Sequence, residues 1–125
     1  MGSHGHARTR FLRALAGDNE LLVEATSAEL RPLGLADALA YTLWQADHGQ
    51  RFRPAMNRWH RAWEQETQPR DPRLSSFVRA ALELLPTRHQ GPALAALASV
   101  ARQQHLLEVV AVVEQRMHRL AEQAA

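Results

Sequence analysis

Residues 51–63 read RFRPAMNRWHRAW, and their large apolar side chains recur at steps of four, three and four. Positions with this spacing share one face of an α-helix. The residues on this stripe are Phe52, Met56, Trp59 and Trp63. The arginines fall roughly opposite. The stretch therefore predicts an amphipathic helix over about 54–67, with its tryptophans packed in a core beside Trp44.

The positions of glycine and proline in the rest of the chain are those expected between short helices. Ten of these residues stand between apolar-periodic stretches or in a first helical turn: Gly17, Gly34, Gly49, Gly91, Pro32, Pro54, Pro69, Pro72, Pro86 and Pro92. Proline is tolerated in the first turn of a helix and glycine at its C-terminal cap. The chain also has 22 Ala and 18 Leu but no Ile, which favours helix over sheet.

These signals predict an all-α fold: a compact bundle of six or seven short helices in antiparallel hairpins, with HEAT-like or TPR-like stacking as one arrangement. The predicted helices cover about 7–16, 19–30, 35–47, 54–67, 72–85 and two parts of 92–124. Asp18 and Asp71 are the predicted N-caps of the second and fifth helices. The remaining predicted core residues are Phe77, Leu82, Val110 and Val113.

The stretch 92–124 contains no glycine or proline after Pro92 and could form one long helix. Its apolar stripe changes phase near residues 103–105, which favours two helices joined by a turn. A new stripe then starts at Leu106 and repeats the spacing of the 52–63 stripe 54 residues later. An internal repeat of two helical hairpins would give this recurrence of the spacing. Any two unrelated amphipathic helices could give it as well.

Residues 1–6 are set apart as a flexible leader or an expression tag, and residues 7–125 are predicted to form a single domain. The sequence shows no secretory pattern and no apolar run near the ~18 residues of a membrane span. We therefore expect a cytoplasmic protein that does not enter a membrane.

Composition removes most catalytic classes. The chain has no Cys and no Lys, which excludes thiol catalysis, Cys-ligated metals and Schiff-base chemistry. It has no glycine-rich phosphate loop, and its serines lie inside predicted helices. Glu114 and His118 stand one turn apart and could offer two metal ligands, but the sequence provides no third. We predict no catalytic residue, no metal site and no cofactor.

The arginines are the candidate binding residues. All 15 basic residues other than histidine are arginine, and the net charge is only +2. The predicted partner-binding set combines four arginines around the fourth helix with three near the N-terminus: Arg51, Arg53, Arg58, Arg61, Arg8, Arg10 and Arg13. Such a face could meet only water, an acidic protein or a nucleic-acid phosphate. Base stacking is not expected, because the tryptophans lie on the apolar stripe.

The C-terminal stretch offers a second candidate interface. Leucine and valine cover more than one face over residues 106–113. A helix that is apolar on two sides must be central in its domain or covered by another molecule, such as a second copy of the chain.

Three segments, RFLRALAGDN at 10–19, GLADAL at 34–39 and RWHR at 58–61, resemble small all-helical proteins of high-GC Gram-positive bacteria. The likeness covers about 8–115 and implies an all-helical fold. No activity is known for that group, so the resemblance implies none here. A fainter likeness, carried by residues 34–40 alone, is to the helical small subunits of type III CRISPR effector complexes.

The sequence thus predicts a non-catalytic protein-interaction or assembly module, with a homodimer as one form. The alternative is a nucleic-acid-binding protein that uses the arginine-rich helix face. A third hypothesis, an enzyme or metal protein built on the scattered histidines, has the least support.

Overall fold

The computed structural model describes the backbone of residues 2–124 and the side chains of residues 5–124. Within that range the chain forms seven α-helices and no strand. In chain order, α1 to α7 span Gly2–Ala16, Glu20–Glu29, Leu35–His48, Phe52–Thr67, Pro72–Glu83, Gln90–Gln103 and Leu107–Ala124. The predicted all-α class is confirmed.

Most of the helix–helix contacts are between helices that follow one another in the chain. α3 and α4 form one antiparallel hairpin, and α6 and α7 form a second. α5 lies between the hairpins in sequence and packs against both α4 and α6, while α7 packs against α3. α1 packs on α2 and touches α3. The starts of α6 and α7 lie 55 residues after the starts of α3 and α4, close to the 54 residues at which the spacing recurs in the sequence.

The turn residues explain where several helices begin and end. Asp71 is the N-cap of α5, with its Oδ1 accepting a hydrogen bond from the Arg73 N–H at 2.9 Å, and Pro72 follows in the first turn. Gly49 ends α3 with a left-handed φ of 81°, which glycine adopts without steric cost. The break predicted within 92–124 is confirmed, since α6 ends at Gln103 and His105 has a φ of 59°.

Some predicted boundaries were wrong. α1 starts at Gly2, not at Ala7, and so runs through most of the segment set apart as a leader. The N-cap of α2 is Asn19, not Asp18, because the Asn19 side chain accepts the Leu22 N–H at 3.2 Å. Asp18 instead adopts a left-handed φ of 54° in the preceding turn.

Two hydrophobic clusters hold the bundle together. The first combines the stripe of α4 with residues of α3, α5, α6 and α7, and includes Trp59 and Trp63. The second joins α1, α2 and α3 around Phe11, Val23 and Trp44, with Ala55 of α4 at its side. Trp44 is therefore buried, but it belongs to a different cluster from the α4 tryptophans and does not lie beside them as predicted.

The other predicted core residues are buried with one exception. Phe52, Met56, Leu82, Val110 and Val113 are all in the first cluster. Phe77 is 51% exposed, so its assignment to the core was wrong. It lies at the edge of the α5 stripe, whose centre at Val78 and Leu82 is fully covered, as is Leu85 just after the helix.

Among the described residues, none of the helices combines the length and the apolar character that crossing a bilayer requires.

Candidate functional site

Three of the seven predicted binding arginines are engaged in ion pairs between helices. Arg8 of α1 donates to both carboxylate oxygens of Asp37 on α3, at 3.0 and 3.3 Å. Asp37 raises the pKa of the Arg8 guanidinium through this hydrogen-bonded pair. Arg10 pairs with Glu29 at 2.7 Å, and Arg51 pairs with Glu24 at 3.0 Å. These arginines connect neighbouring helices and do not form a free binding face.

The other four, Arg13, Arg53, Arg58 and Arg61, are exposed. In the part of the chain whose side chains are described, none of them has a carboxylate oxygen within 4.0 Å. Arg58 and Arg61 are three residues apart, so they share the open face of α4. The structure thus does not gather the seven predicted arginines into one patch but leaves a smaller pair on α4.

A cavity of about 440 Å³ opens beside Arg58, between α2, α3 and α4. We call it the Arg58 cavity. Its walls are mostly apolar, and two arginines reach it from different segments. The lining residues are Ser27, Arg31, Pro32, Leu33, Ala38, Tyr41, Thr42, Ala55, Arg58, Trp59 and Ala62.

The local sequence explains why space is left there. Ala55 and Ala62 stand one helical turn before and after Arg58 on α4, and Ala38 faces the cavity from α3. Three small side chains leave a gap that larger residues would fill. The segment between α2 and α3, including Arg31 and Pro32, closes one side.

Arg31 also has no ion pair within the described residues, and it is exposed. The sequence analysis did not single it out, because it stands alone in a turn and no helical face connects it with Arg58. Only the folded chain places Arg31 and Arg58 at one cavity.

A polar network around Glu24 fixes the helices that frame the cavity. Glu24 Oε1 accepts hydrogen bonds from the Tyr41 hydroxyl and from Gln45 Nε2, both at 2.8 Å, and Oε2 accepts from Arg51. Gln45 Oε1 also accepts the backbone N–H of Arg51 at 3.1 Å, next to the start of α4. Glu24 of α2 thereby links α3 and the start of α4.

Tyr41 contributes its ring to the cavity wall and is 4% exposed. Burial raises the pKa of its phenol, and the hydrogen bond to Glu24 raises it further. The positive charge of Arg58 acts on the pKa of the same phenol in the opposite direction.

The α4 tryptophans are buried and hydrogen-bonded. Trp59 Nε1 donates to the carbonyl of Leu35 at 2.9 Å, and Trp63 Nε1 donates to Gln104 Oε1 at 2.8 Å. Their exposed fractions are 3% and 1%. Neither ring offers a face on which a nucleic-acid base could stack, although Trp59 lines the inner wall of the Arg58 cavity.

The fold brings together His60, Glu64 and Ser75, a cluster that the sequence analysis missed. The Ser75 hydroxyl donates to Glu64 Oε2 at 2.5 Å, and His60 Nε2 lies 3.1 Å from both the Ser75 hydroxyl and the Ser75 carbonyl. Because the Ser75 hydroxyl donates its hydrogen to Glu64, that hydrogen does not point at His60 Nε2. The cluster joins α4 to α5.

Metal-ligating residues do not converge. Within the described residues, no group of three His, Asp or Glu side chains could hold a metal ion. Glu114 pairs with Arg102 at 2.9 Å, and His118 lies 3.0 Å from Glu122. Glu114 and His118 thus have different neighbours and do not pair with each other.

The C-terminal helix is buried along one side and exposed along the other. α7 packs on α6 and α3, and Val109, Val110 and Val113 are buried between them. Leu107, at the start of α7, is 71% exposed. The valines are thus covered within the chain, while whether a second molecule covers Leu107 stays a prediction.

Comparison with protein-family models, with curated proteins and with solved structures gave no match.

Proposed function

We propose that this chain is a non-catalytic interaction module that binds an acidic protein partner through Arg58 and Arg61 on the open face of α4. The observation that carries the proposal is that Arg58 and Arg61 stand three residues apart on one face of α4, both exposed and both without a carboxylate oxygen within 4.0 Å among the described residues. Among the same residues, seven of the 15 arginines do pair with a carboxylate: Arg8, Arg10, Arg51, Arg73, Arg79, Arg102 and Arg116.

Arginine is suited to this role because its planar guanidinium binds a carboxylate with two parallel hydrogen bonds. It is also enriched in the centre of protein–protein interfaces. An acidic protein surface would supply the carboxylate partners that Arg58 and Arg61 lack among the described residues.

Three observations support a protein partner over a nucleic acid. The tryptophans that could stack on bases are buried. The net charge of +2 gives only a weak field for attracting phosphates. The N-terminal arginines Arg8 and Arg10 are already paired with Asp37 and Glu29, so they do not extend the α4 face into a long basic stripe.

Self-association is a second candidate function, and it would use a different surface from the arginines of α4. Phe77 of α5 and Leu84, the residue that follows α5, are large apolar side chains that are 51% and 39% exposed. Light scattering across a concentration series measures this directly. A mass that stays at one chain at every concentration removes the dimer form.

The proposal is tested by affinity capture from a nuclease-treated lysate of the organism that encodes the chain. Three baits are compared: the wild type, the double variant Arg58→Glu/Arg61→Glu, and the control Arg88→Glu/Arg119→Glu. The control carries the same charge change at exposed arginines outside α4 that have no carboxylate partner among the described residues. We expect an acidic protein that is enriched by the wild type and the control but lost with the α4 variant.

A capture pattern that is the same for all three baits overturns the proposal. Binding to labelled DNA or RNA that falls steeply with salt and disappears in the α4 variant would instead establish the nucleic-acid alternative.

A further inference from the structure

We infer that the Arg58 cavity holds an apolar side chain of an acidic peptide segment, while Arg31 and Arg58 bind carboxylates on either side of it. This inference rests on the proposed function, since it names the part of an acidic partner that α4 recognises.

The polar groups of the cavity wall show which ligand chemistry fits. Ser27, Thr42 and Tyr41 donate their hydroxyl hydrogens within the chain, to Glu24 O, Ala38 O and the Glu24 carboxylate. The Trp59 indole N–H is used by Leu35 O. These donors are all satisfied, so the inner wall presents an apolar surface to any occupant.

Arg31 and Arg58 are the two lining residues whose polar side chains are not used in this way. Both residues are exposed, and neither has a carboxylate partner among the described residues. An apolar interior with two free cationic groups is complementary to an apolar group flanked by negative charge. The volume of about 440 Å³ is large enough for one aromatic or aliphatic side chain.

The position of Arg61 is the reason for proposing a peptide ligand and not a small organic acid. Arg61 lies one turn beyond Arg58 on the same face of α4 but does not line the cavity. A ligand that fills the cavity and also reaches Arg61 must extend along α4 and carry further carboxylates. A peptide segment with an apolar residue between acidic ones has this form.

The test uses three synthetic peptides with acetylated and amidated ends. The first is Glu-Asp-Phe-Asp-Glu, the second replaces its Phe by Ala, and the third replaces its acidic residues by Gln and Asn. Each is titrated into the ¹⁵N-labelled full chain, and the indole N–H resonances of Trp59 and Trp63 are followed. Trp59 lines the cavity, and Trp63 is an internal control that does not.

We expect the first peptide to shift the Trp59 resonance in a saturable way and to leave Trp63 unchanged. The Ala peptide and the neutral peptide should each bind about tenfold more weakly or worse, because each loses one half of the recognition. The substitution Ala62→Leu, at a half-buried position, should fill the cavity and lower the affinity for the first peptide by a similar factor. Ala80→Leu, at an exposed position on α5, is the matched control, and this variant should bind the first peptide as the wild type does.

If Ala62→Leu loses its helical circular dichroism, Ala38→Leu provides a second cavity-filling variant. No saturable shift at Trp59, or equal binding of the Phe and Ala peptides, overturns the inference. The lysate experiment separates the two claims. Capture that is lost with the Arg58/Arg61 variant but kept with Ala62→Leu upholds the proposed function and overturns the cavity assignment. Capture that does not depend on Arg58 and Arg61 overturns the proposed function.

Discussion

Trp63 of α4 donates its indole N–H to the side-chain carbonyl of Gln104, 2.8 Å away in the turn between α6 and α7. The bond joins two hairpins through residues 41 positions apart in the chain. Because Trp63 is 1% exposed, its N–H has no access to bulk water as a replacement partner.

Gln104→Ala should therefore lower the free energy of unfolding by about 1–3 kcal/mol, the usual cost of leaving a buried donor unsatisfied. Urea denaturation followed by tryptophan fluorescence measures the change. Gln103→Ala, at the neighbouring exposed position, is the control and should change the free energy by less than about 0.5 kcal/mol. Equal effects of the two substitutions would show that the bond does not stabilise the fold.

Tyr41 gives the chain an alkaline limit to its stability. Burial, followed by the hydrogen bond to Glu24, raises the pKa of the phenol above its usual value of 10.0. As the pH rises, the unfolded chain loses this proton first, so ionisation favours unfolding. The contribution of Tyr41 is fully present below about pH 10 and is lost as the pH rises through the folded pKa.

The chain suits this measurement because it has one Tyr and neither Lys nor Cys. Tyr41 is thus the only side chain expected to titrate between the histidine and arginine ranges. Phenolate absorbance follows its ionisation, and denaturation at several alkaline pH values follows the stability. Tyr41→Phe should remove most of the pH dependence above pH 10, and an unchanged slope in this variant would contradict the assignment.

Phe77 and Leu82 lie on the same helix in different environments, 51% and 0% exposed. Leu82→Ala should cost about 2–5 kcal/mol, as deletion of a fully buried leucine does, whereas Phe77→Ala should cost less than about 1 kcal/mol. Chemical denaturation of the two variants in parallel tests the placement. A loss at Phe77 as large as that at Leu82 would restore Phe77 to the core.

His105 and Gln68 hold left-handed backbone conformations, with φ values of 59° and 45°. Non-glycine residues pay about 1 kcal/mol or more for this conformation. Replacing either with glycine should leave the free energy of unfolding unchanged or raise it by up to about 1 kcal/mol, while the β-branched His105→Val should lower it. Thermal denaturation ranks the variants, and a destabilised His105→Gly would mean that the histidine side chain itself is needed there.

Local sequence patterns were sufficient to predict most of the helices and the turns between them. The phase change near residue 104 correctly placed the turn between α6 and α7, because a helix cannot keep one buried face through a shifted stripe. Phe77 was misplaced because periodicity defines the centre of a stripe better than its edges. Trp44 was assigned to the wrong cluster because a pattern within one helix does not say which other helix covers it.

The site was predicted only in part for a similar reason. Arg58 and Arg61 could be identified from the α4 pattern. The carboxylates that pair with Arg8, Arg10 and Arg51 lie 29, 19 and 27 residues away, and only the folded chain brings them close. Arg31 was missed because a cavity is a property of three packed segments and has no signature in any one of them.

Leu39 and Leu43 of α3 belong to the first hydrophobic cluster, while Tyr41 and Trp44, on the same helix, belong to the second. α3 is thus the shared wall of two cores. α4 also contributes to both, with Ala55 in the second cluster, so unfolding of the α3–α4 hairpin would remove one side of both cores at once.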